Sequence, residues 1–302
     1  MQKFISKLLL FIVIIVGMDW AYGVVCDYLN SHAKGGTTGT QYYIAKQTSE
    51  DIVMMGSSRM HHHYVPQIVE ESLGLTAYNA GIDGNGIILS YGYLLMITTR
   101  YSPRIIIYDI SGYDLYKDDN VKYLDNLKEF YKESGIRDIF LDVNKTERWK
   151  MISSLYRYNS KFLQLITDFI HPVVLSQKGY VGLHQMMKYD VEEVMVNESR
   201  REVDPLKIQY IEKFIKCCRE KNITLYFCVS PIYESKASSQ YNEPIIEICQ
   251  KHGIPLFDWR VDDEISMNKR YFSDRTHMND EGARQYTMKL CRAIKESIEH
   301  NK

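Results

Sequence analysis

No pair of cysteines in this chain stands at metal-ligand spacing. Cys26, Cys217, Cys218, Cys228, Cys249 and Cys291 include no CxxC, which excludes a zinc site of the usual kind. Nor does a chain of 302 residues with this spacing suggest a disulfide scaffold. The cysteines read as small buried hydrophobes. Net charge is also missing: 37 Lys and Arg face 38 Asp and Glu, for a formal charge of −1. A nucleic-acid partner usually leaves a basic footprint, so none is expected. There is no internal repeat. Tyrosine, by contrast, is plentiful at 24 residues; a tyrosine-rich surface suits carbohydrate stacking, and tyrosine also packs well with its hydroxyl in water. Apolar content of 45% and charged content of 25% suffice for a sizeable globular core.

Only one long hydrophobic run exists, at the amino terminus. Residues 8–18 carry no charged side chain, Asp19 interrupts, and 20–25 continue mostly apolar. With its flanks the run approaches the length of a spanning helix. Lys3 and Lys7 precede it and no Lys or Arg follows until Lys34, which directs the amino terminus to the cytoplasm and the rest of the chain across the membrane. Residues 1–26 are therefore read as an uncleaved membrane anchor. The rival reading is a signal peptide cut at Ala21-Tyr22-Gly23, which would leave a secreted domain. Residues 27–50, with Lys34-Gly35-Gly36-Thr37-Thr38-Gly39-Thr40, read as a flexible stalk.

From residue 51 the pattern alternates between apolar runs of strand length and helical segments. Strands are expected at 51–55, 76–79, 105–110, 224–229 and 255–258. Helices are expected at 87–101, at 205–221 behind an Asp204 cap and Pro205, at 243–252, and from the Asn279 cap to 299. Between 121 and 204 no strand signal stands out; a mainly helical insertion is expected there, with one helical stretch over 145–170. The rhythm implies an α/β protein of three layers, α/β/α, around a five-stranded parallel sheet of flavodoxin-like winding, in a domain over 51–302.

Three stretches carry chemistry. Ile52-Val53-Met54-Met55-Gly56-Ser57-Ser58-Arg59 is a buried strand running into two hydroxyls at its carboxyl end, where ligands bind in open α/β sheets. Asn79-Ala80-Gly81-Ile82-Asp83-Gly84 ends the second strand in a sharply bending loop. Asp274-Arg275-Thr276-His277 precedes the last helix. A serine nucleophile needs a base within hydrogen-bond reach, histidine suits that work, and an acid must hold its tautomer. Ser58, His277 and Asp274 are the candidates. Backbone N–H groups of Ser58 and Gly84 are candidate oxyanion donors.

These three blocks, in this order, resemble those of the SGNH/GDSL hydrolase superfamily over about residues 50–300, less the helical insertion. The resemblance makes Ser58 the nucleophile and Gly84 an oxyanion donor, and it implies no cofactor. One block departs. Where the family shows Gly-x-Asn-Asp, this chain has Ser111-Gly112-Tyr113-Asp114, so Tyr113 stands in place of the asparagine donor. The Tyr113 hydroxyl and the Asn85 amide are candidate replacements. Arg59, His62 and His63 flank the serine and are candidate substrate contacts. A metal at His61-His62-His63 is not expected, because three adjacent side chains cannot converge on one ion.

The expected activity is ester cleavage through an acyl-serine, on O-acyl, most simply O-acetyl, groups of cell-envelope carbohydrate. Transfer of the acyl group to a polysaccharide hydroxyl is one alternative. The other is a non-catalytic glycan-binding or scaffold relative.

Overall fold

A computed structural model of the chain describes residues 1–174, 176–188, 202–233, 243–260 and 264–300. It opens with α1 (Gln2–His32) and α2 (Gly36–Lys46), then runs through β1 (Ile52–Gly56), α3 (Ser58–His63), α4 (Pro66–Leu73), β2 (Ala77–Gly81), α5 (Ile87–Thr98) and β3 (Ile105–Asp109). A single turn, α6 (Gly112–Leu115), and a 3₁₀ segment (Asn120–Phe130) lead into the short helices α7 (Ile136–Val143), α8 (Glu147–Lys150), α9 (Ser154–Tyr158) and α10 (Phe162–Ile170). There follow α11 (Pro205–Glu220), β4 (Thr224–Val229), α12 (Glu243–His252), β5 (Leu256–Asp258) and α13 (Asp280–His300). The chain forms two compact units, one of residues 1–47 and 121–175, the other of 48–120 and 176–302.

The second unit is built on a five-stranded, all-parallel sheet of order β2-β1-β3-β4-β5. Period-two alternation sends the side chains of each strand to opposite faces. Ile52, Met54, Ile105, Ile107, Tyr226 and Cys228 share a core with Val69 of α4 and with Tyr286, Leu290 and Ile294 of α13. On the other face Tyr108 packs edge-on against Phe214 of α11 and reaches Ser90 of α5 with its hydroxyl. Because α5 is apolar on nearly every side, it lies almost wholly buried. Asp204 accepts from the Leu206 N–H ahead of Pro205, as a cap does. The expected α/β/α architecture and winding are thus present, with strand edges shifted by a residue or two.

Two contacts draw α3 against the sheet. The Asn79 side-chain amide donates to the carbonyls of Met60 (2.7 Å) and Tyr64 (2.8 Å). Gly81 lies so close to α3 that a Cβ there would meet the His61 backbone nitrogen at 2.4 Å.

The first unit corrects the expected stalk and insertion. From Phe4 to Met18 the side chains of α1 are exposed; from Asp19 onward one face of the helix is packed, burying Gly23, Cys26 and Asn30, while Trp20, Val24, Val25 and Tyr28 stay exposed. Its Asp19 carboxylate accepts from the Ser153 hydroxyl (2.7 Å) and from the N–H groups of Ser154 (2.8 Å) and Leu155 (2.9 Å). A Cβ on Gly23 would lie 2.3 Å from Ser154 Oγ, so α9 seats directly on α1. Cys26, Tyr158 and Leu165 form a small core with Tyr22, Leu29 and Phe162 around them. Residues 36–46, expected to be flexible, are helix α2, because the Asp168 carboxylate accepts from the Thr38 N–H (2.9 Å) and the Val173 carbonyl from the Gly36 N–H (2.8 Å). Both partners are remote in sequence, which is why a Gly- and Thr-rich stretch reads as a linker by composition. The helical stretch expected over 145–170 is three short helices, α8 to α10. The expected insertion also ran too far: 176–188 belongs with the sheet unit, and 189–201 lie outside the described residues.

Candidate active site

All the candidate site residues lie in the sheet unit, at the carboxyl ends of β1, β2 and β3 and on the loop before α13. β1 ends at Gly56. Ser57 follows with its side chain turned inward: it is 2% exposed, and its buried hydroxyl has no hydrogen-bond partner among the described residues. Although Ser57 precedes α3, its side chain makes no capping bond. Ser58 is the first residue of α3, and its hydroxyl is the one aimed at the loop.

That loop is organised by a single carboxylate. Asp274 Oδ1 accepts from the Thr276 N–H (2.8 Å), the Thr276 hydroxyl (3.0 Å) and the His277 N–H (2.9 Å). Its Oδ2 lies 2.8 Å from His277 Nδ1. One side chain thus folds the turn and fixes the orientation of the imidazole: Nδ1 faces the carboxylate, and Nε2 is left to point away. Nε2 sits 2.8 Å from Ser58 Oγ. Partial burial raises the Asp274 pKa, but the bonds from His277 and the Thr276 backbone outweigh it and hold the carboxyl well below its ordinary value. Past the loop, Asn279 Oδ1 accepts from the Gly282 N–H (3.0 Å), capping α13 as its sequence suggests.

Two of the expected substrate contacts are structural. Arg59 is 8% exposed, its Nη2 lies 2.7 Å from Asp109 Oδ1 at the end of β3, and the same nitrogen donates to the Ile110 carbonyl. Asp109 Oδ2 also accepts from the Tyr64 hydroxyl (2.5 Å) and the Ser230 N–H (3.2 Å). The guanidinium is committed to this buried network, so it is not available to a substrate anion. His63 is fully buried. Its Nε2 accepts from the Met278 N–H (2.9 Å) and its Nδ1 faces Ser230 Oγ (2.9 Å). Burial, and then the nearby Arg59 charge, push its pKa well below the ordinary range, so the ring is neutral. His63 braces the residue after His277 rather than touching a ligand. No sequence pattern links a histidine in α3 to a backbone N–H more than two hundred positions away.

His62 borders the site. Its ring meets that of His277 edge-on at 5.7 Å; Nδ1 donates to the Val181 carbonyl (2.7 Å), and Nε2 lies 3.4 Å from Asp83. His61 Nδ1 stands 2.8 Å from the same carboxylate. Against the expectation for adjacent side chains, two of the three histidines do converge: His61, His62 and Asp83 bring ligand atoms within 4.8 Å of one another. His61 and His62 each turn a ring nitrogen toward the Asp83 carboxylate.

The expected oxyanion donors are placed as follows. Gly84 is exposed, in a left-handed conformation (φ +69°) that only glycine takes without strain. Asn85 is buried, and its amide donates back to the Asp83 carbonyl (2.7 Å), bracing its own loop. Tyr113 is 43% exposed just past β3, on α6, where Ser111 and Asp114 form a reciprocal cap. The buried Asp114 carboxylate accepts from the Ser111 N–H and hydroxyl, each at 2.7 Å.

The three blocks lie at the carboxyl ends of β1 and β2 and ahead of α13, in the order read from the sequence. No protein-family model matches the chain, and no curated protein matches it. Solved structures do. A lipolytic protein of the G-D-S-L family from Desulfitobacterium hafniense DCB-2 is 9% identical, with 80% of this chain and 97% of that one covered and a TM-score of 0.41. The acetyl xylan esterase AlAXEase is 14% identical, with 80% and 99% covered and a TM-score of 0.41. An acylhydrolase from Bacteroides fragilis NCTC 9343 is 12% identical, with 84% and 96% covered and a TM-score of 0.40. At these scores the functional reading stands on the geometry of this chain alone.

The His62 cluster sets a pH signature. Burial lowers the His62 pKa, but its bonds to Asp83 and Val181 prevail and raise it above 6.5. A raised folded-state value stabilises fully below the unfolded value and is lost as pH climbs through the folded one. His62→Gln should therefore lower the unfolding temperature by about 2–4 °C on the acid side of neutrality, with the gap to wild type closing at alkaline pH. Melting curves across pH check this; a gap that widens with pH contradicts it.

Proposed function

We propose that the chain is a serine esterase of SGNH type, with Ser58 as nucleophile, His277 as general base and Asp274 as the acid that orients it. The observation that carries this reading is the unbroken line from Asp274 through His277 to Ser58, 2.8 Å at each step. Ser58 Oγ attacks the ester carbonyl carbon while His277 Nε2 takes its proton. The negative charge that develops on the carbonyl oxygen is met by the Ser58 and Gly84 N–H groups and, as a third donor, the Tyr113 hydroxyl. Collapse breaks the bond to the alcohol, which leaves with the proton from His277. Water, activated by the same histidine, then releases the acid from Ser58.

The substrate class in this proposal is O-acyl, most simply O-acetyl, ester on carbohydrate of the cell envelope. Its support is α1, whose exposed apolar half suits a bilayer and whose lysines at its amino-terminal end, Lys3 and Lys7, direct the sheet unit away from the cytoplasm. Retention of α1 as an anchor is favoured over cleavage after Gly23. Cleavage there would remove Asp19 and Tyr22 from the helices they hold. If a sugar hydroxyl replaces water in the second half, the same site transfers the acyl group.

A fluorophosphonate probe tests the nucleophile. Wild type should be labelled, Ser58→Ala should not, and Ser57→Ala should label at a rate within about threefold of wild type. Equal labelling of Ser58→Ala and wild type contradicts the assignment. The third donor is tested separately: Tyr113→Phe should lower kcat on an aryl acetate by roughly 10- to 1000-fold with little change in KM. Unchanged kcat would reduce Tyr113 to a packing role.

A further inference from the structure

We propose that the helical unit is itself a membrane-seated surface, with the segment around α8 and α9 and the start of α10 lying in the outer face of the bilayer beside α1. The inference rests on the anchoring reading of α1 and extends it.

Counted from Phe4, the first apolar side chain after Lys3, the stretch of α1 with no protein packed on it runs to Met18. At about 1.5 Å per residue that is about 22 Å, against a hydrocarbon core of about 30 Å. The difference is about five residues, which carries the apolar layer to the level of Gly23. Over those residues α1 is already covered, by Ser153–Leu155 on Asp19, by Ser154 on Gly23 and by Phe162 on Tyr22, at a ring separation of 5.2 Å. What covers the helix at that level must share its depth.

The side chains found there suit that depth. Trp149, Ile152, Leu155 and Leu163 are 62%, 73%, 57% and 78% exposed, a cluster of large apolar groups of the kind that marks an interaction surface. Arg148 lies over the Trp149 ring, 4.4 Å from its centroid, and Lys145 is exposed four residues before it. Tryptophan with flanking cations is the composition of a membrane interface, with the basic groups reaching anionic headgroups. The same geometry accounts for Asp19. A carboxylate at that level is tolerable only with its oxygens satisfied, and the three donors of residues 153–155 do so. The bilayer is thus the occupant that the continuity with α1 indicates.

The test uses the full-length protein in vesicles of phosphatidylcholine and phosphatidylglycerol whose acyl chains are brominated near the headgroup. Tryptophan quenching is compared among wild type, Trp20→Phe and Trp149→Phe. Both variants should lose a share of the quenchable emission. Ile152→Glu with Leu155→Glu should cut the Trp149 share at least about twofold, while circular dichroism and probe labelling stay as in wild type. If Trp20 is quenched and Trp149 is not, α1 is an anchor but this surface lies outside the bilayer, and the proposal fails alone. Quenching of neither overturns both readings. An unquenched Trp149 that crosslinks to a second copy overturns the proposal in favour of a protein partner.

Discussion

Ser58 and His277 lie 219 positions apart and share one hydrogen bond. Most of the sheet unit can be read as the apparatus that keeps those two atoms at 2.8 Å. The serine is held from below: the strand β1 is buried, α3 is tied to β2 by Asn79, and Gly81 lets the helix approach the strand without a side chain between them. The histidine is held from the other side: Asp274 folds its turn, His63 receives the N–H of the next residue, and Asn279 starts α13. His63 belongs to α3, the helix that begins with Ser58. Ser58 and the support of His277 thus sit on one short helix.

Below this pair runs a buried polar layer of Arg59, Asp109, Tyr64 and Ser230. Breaking a buried ion pair by removing one partner typically destabilises by about 3–5 kcal/mol, so Arg59 is constrained by the fold and not by any ligand. Its position beside the serine is what made it look like a substrate contact. Ser230 links this layer to His63, and through His63 to the loop. The residues that would do chemistry are few and partly exposed; those that hold them are buried and more numerous.

The fold was legible where the signal is local. Apolar runs of strand length gave all five strands, and Asp204-Pro205 and Asn279 marked two helix starts because capping depends on near neighbours. The serine, aspartate and histidine were legible as residue types in blocks, and Asp274 and His277 lie in one turn, so their spacing carried real information. What escaped the sequence depends on distant partners. Helix α2 is held by Asp168 and Val173, Arg59 by Asp109, His63 by Met278, and the pairing of His61 and His62 with Asp83 needs a loop to come back over α3. The union of α1 with α9 and α10 escaped for the same reason. Asp19 read as a flaw in an apolar run because its three donors lie more than 130 residues away.

The central claim is that Ser58 carries the acyl group. Rapid acid quenching of the enzyme with an activated acetyl ester, followed by peptide mass analysis, tests it directly. The account predicts one acetyl group on the peptide containing Ser58, formed faster than free acetate in the steady state and absent from Ser58→Ala. Turnover of the ester at the wild-type rate by Ser58→Ala, or an acetyl group found only on another residue, would contradict it.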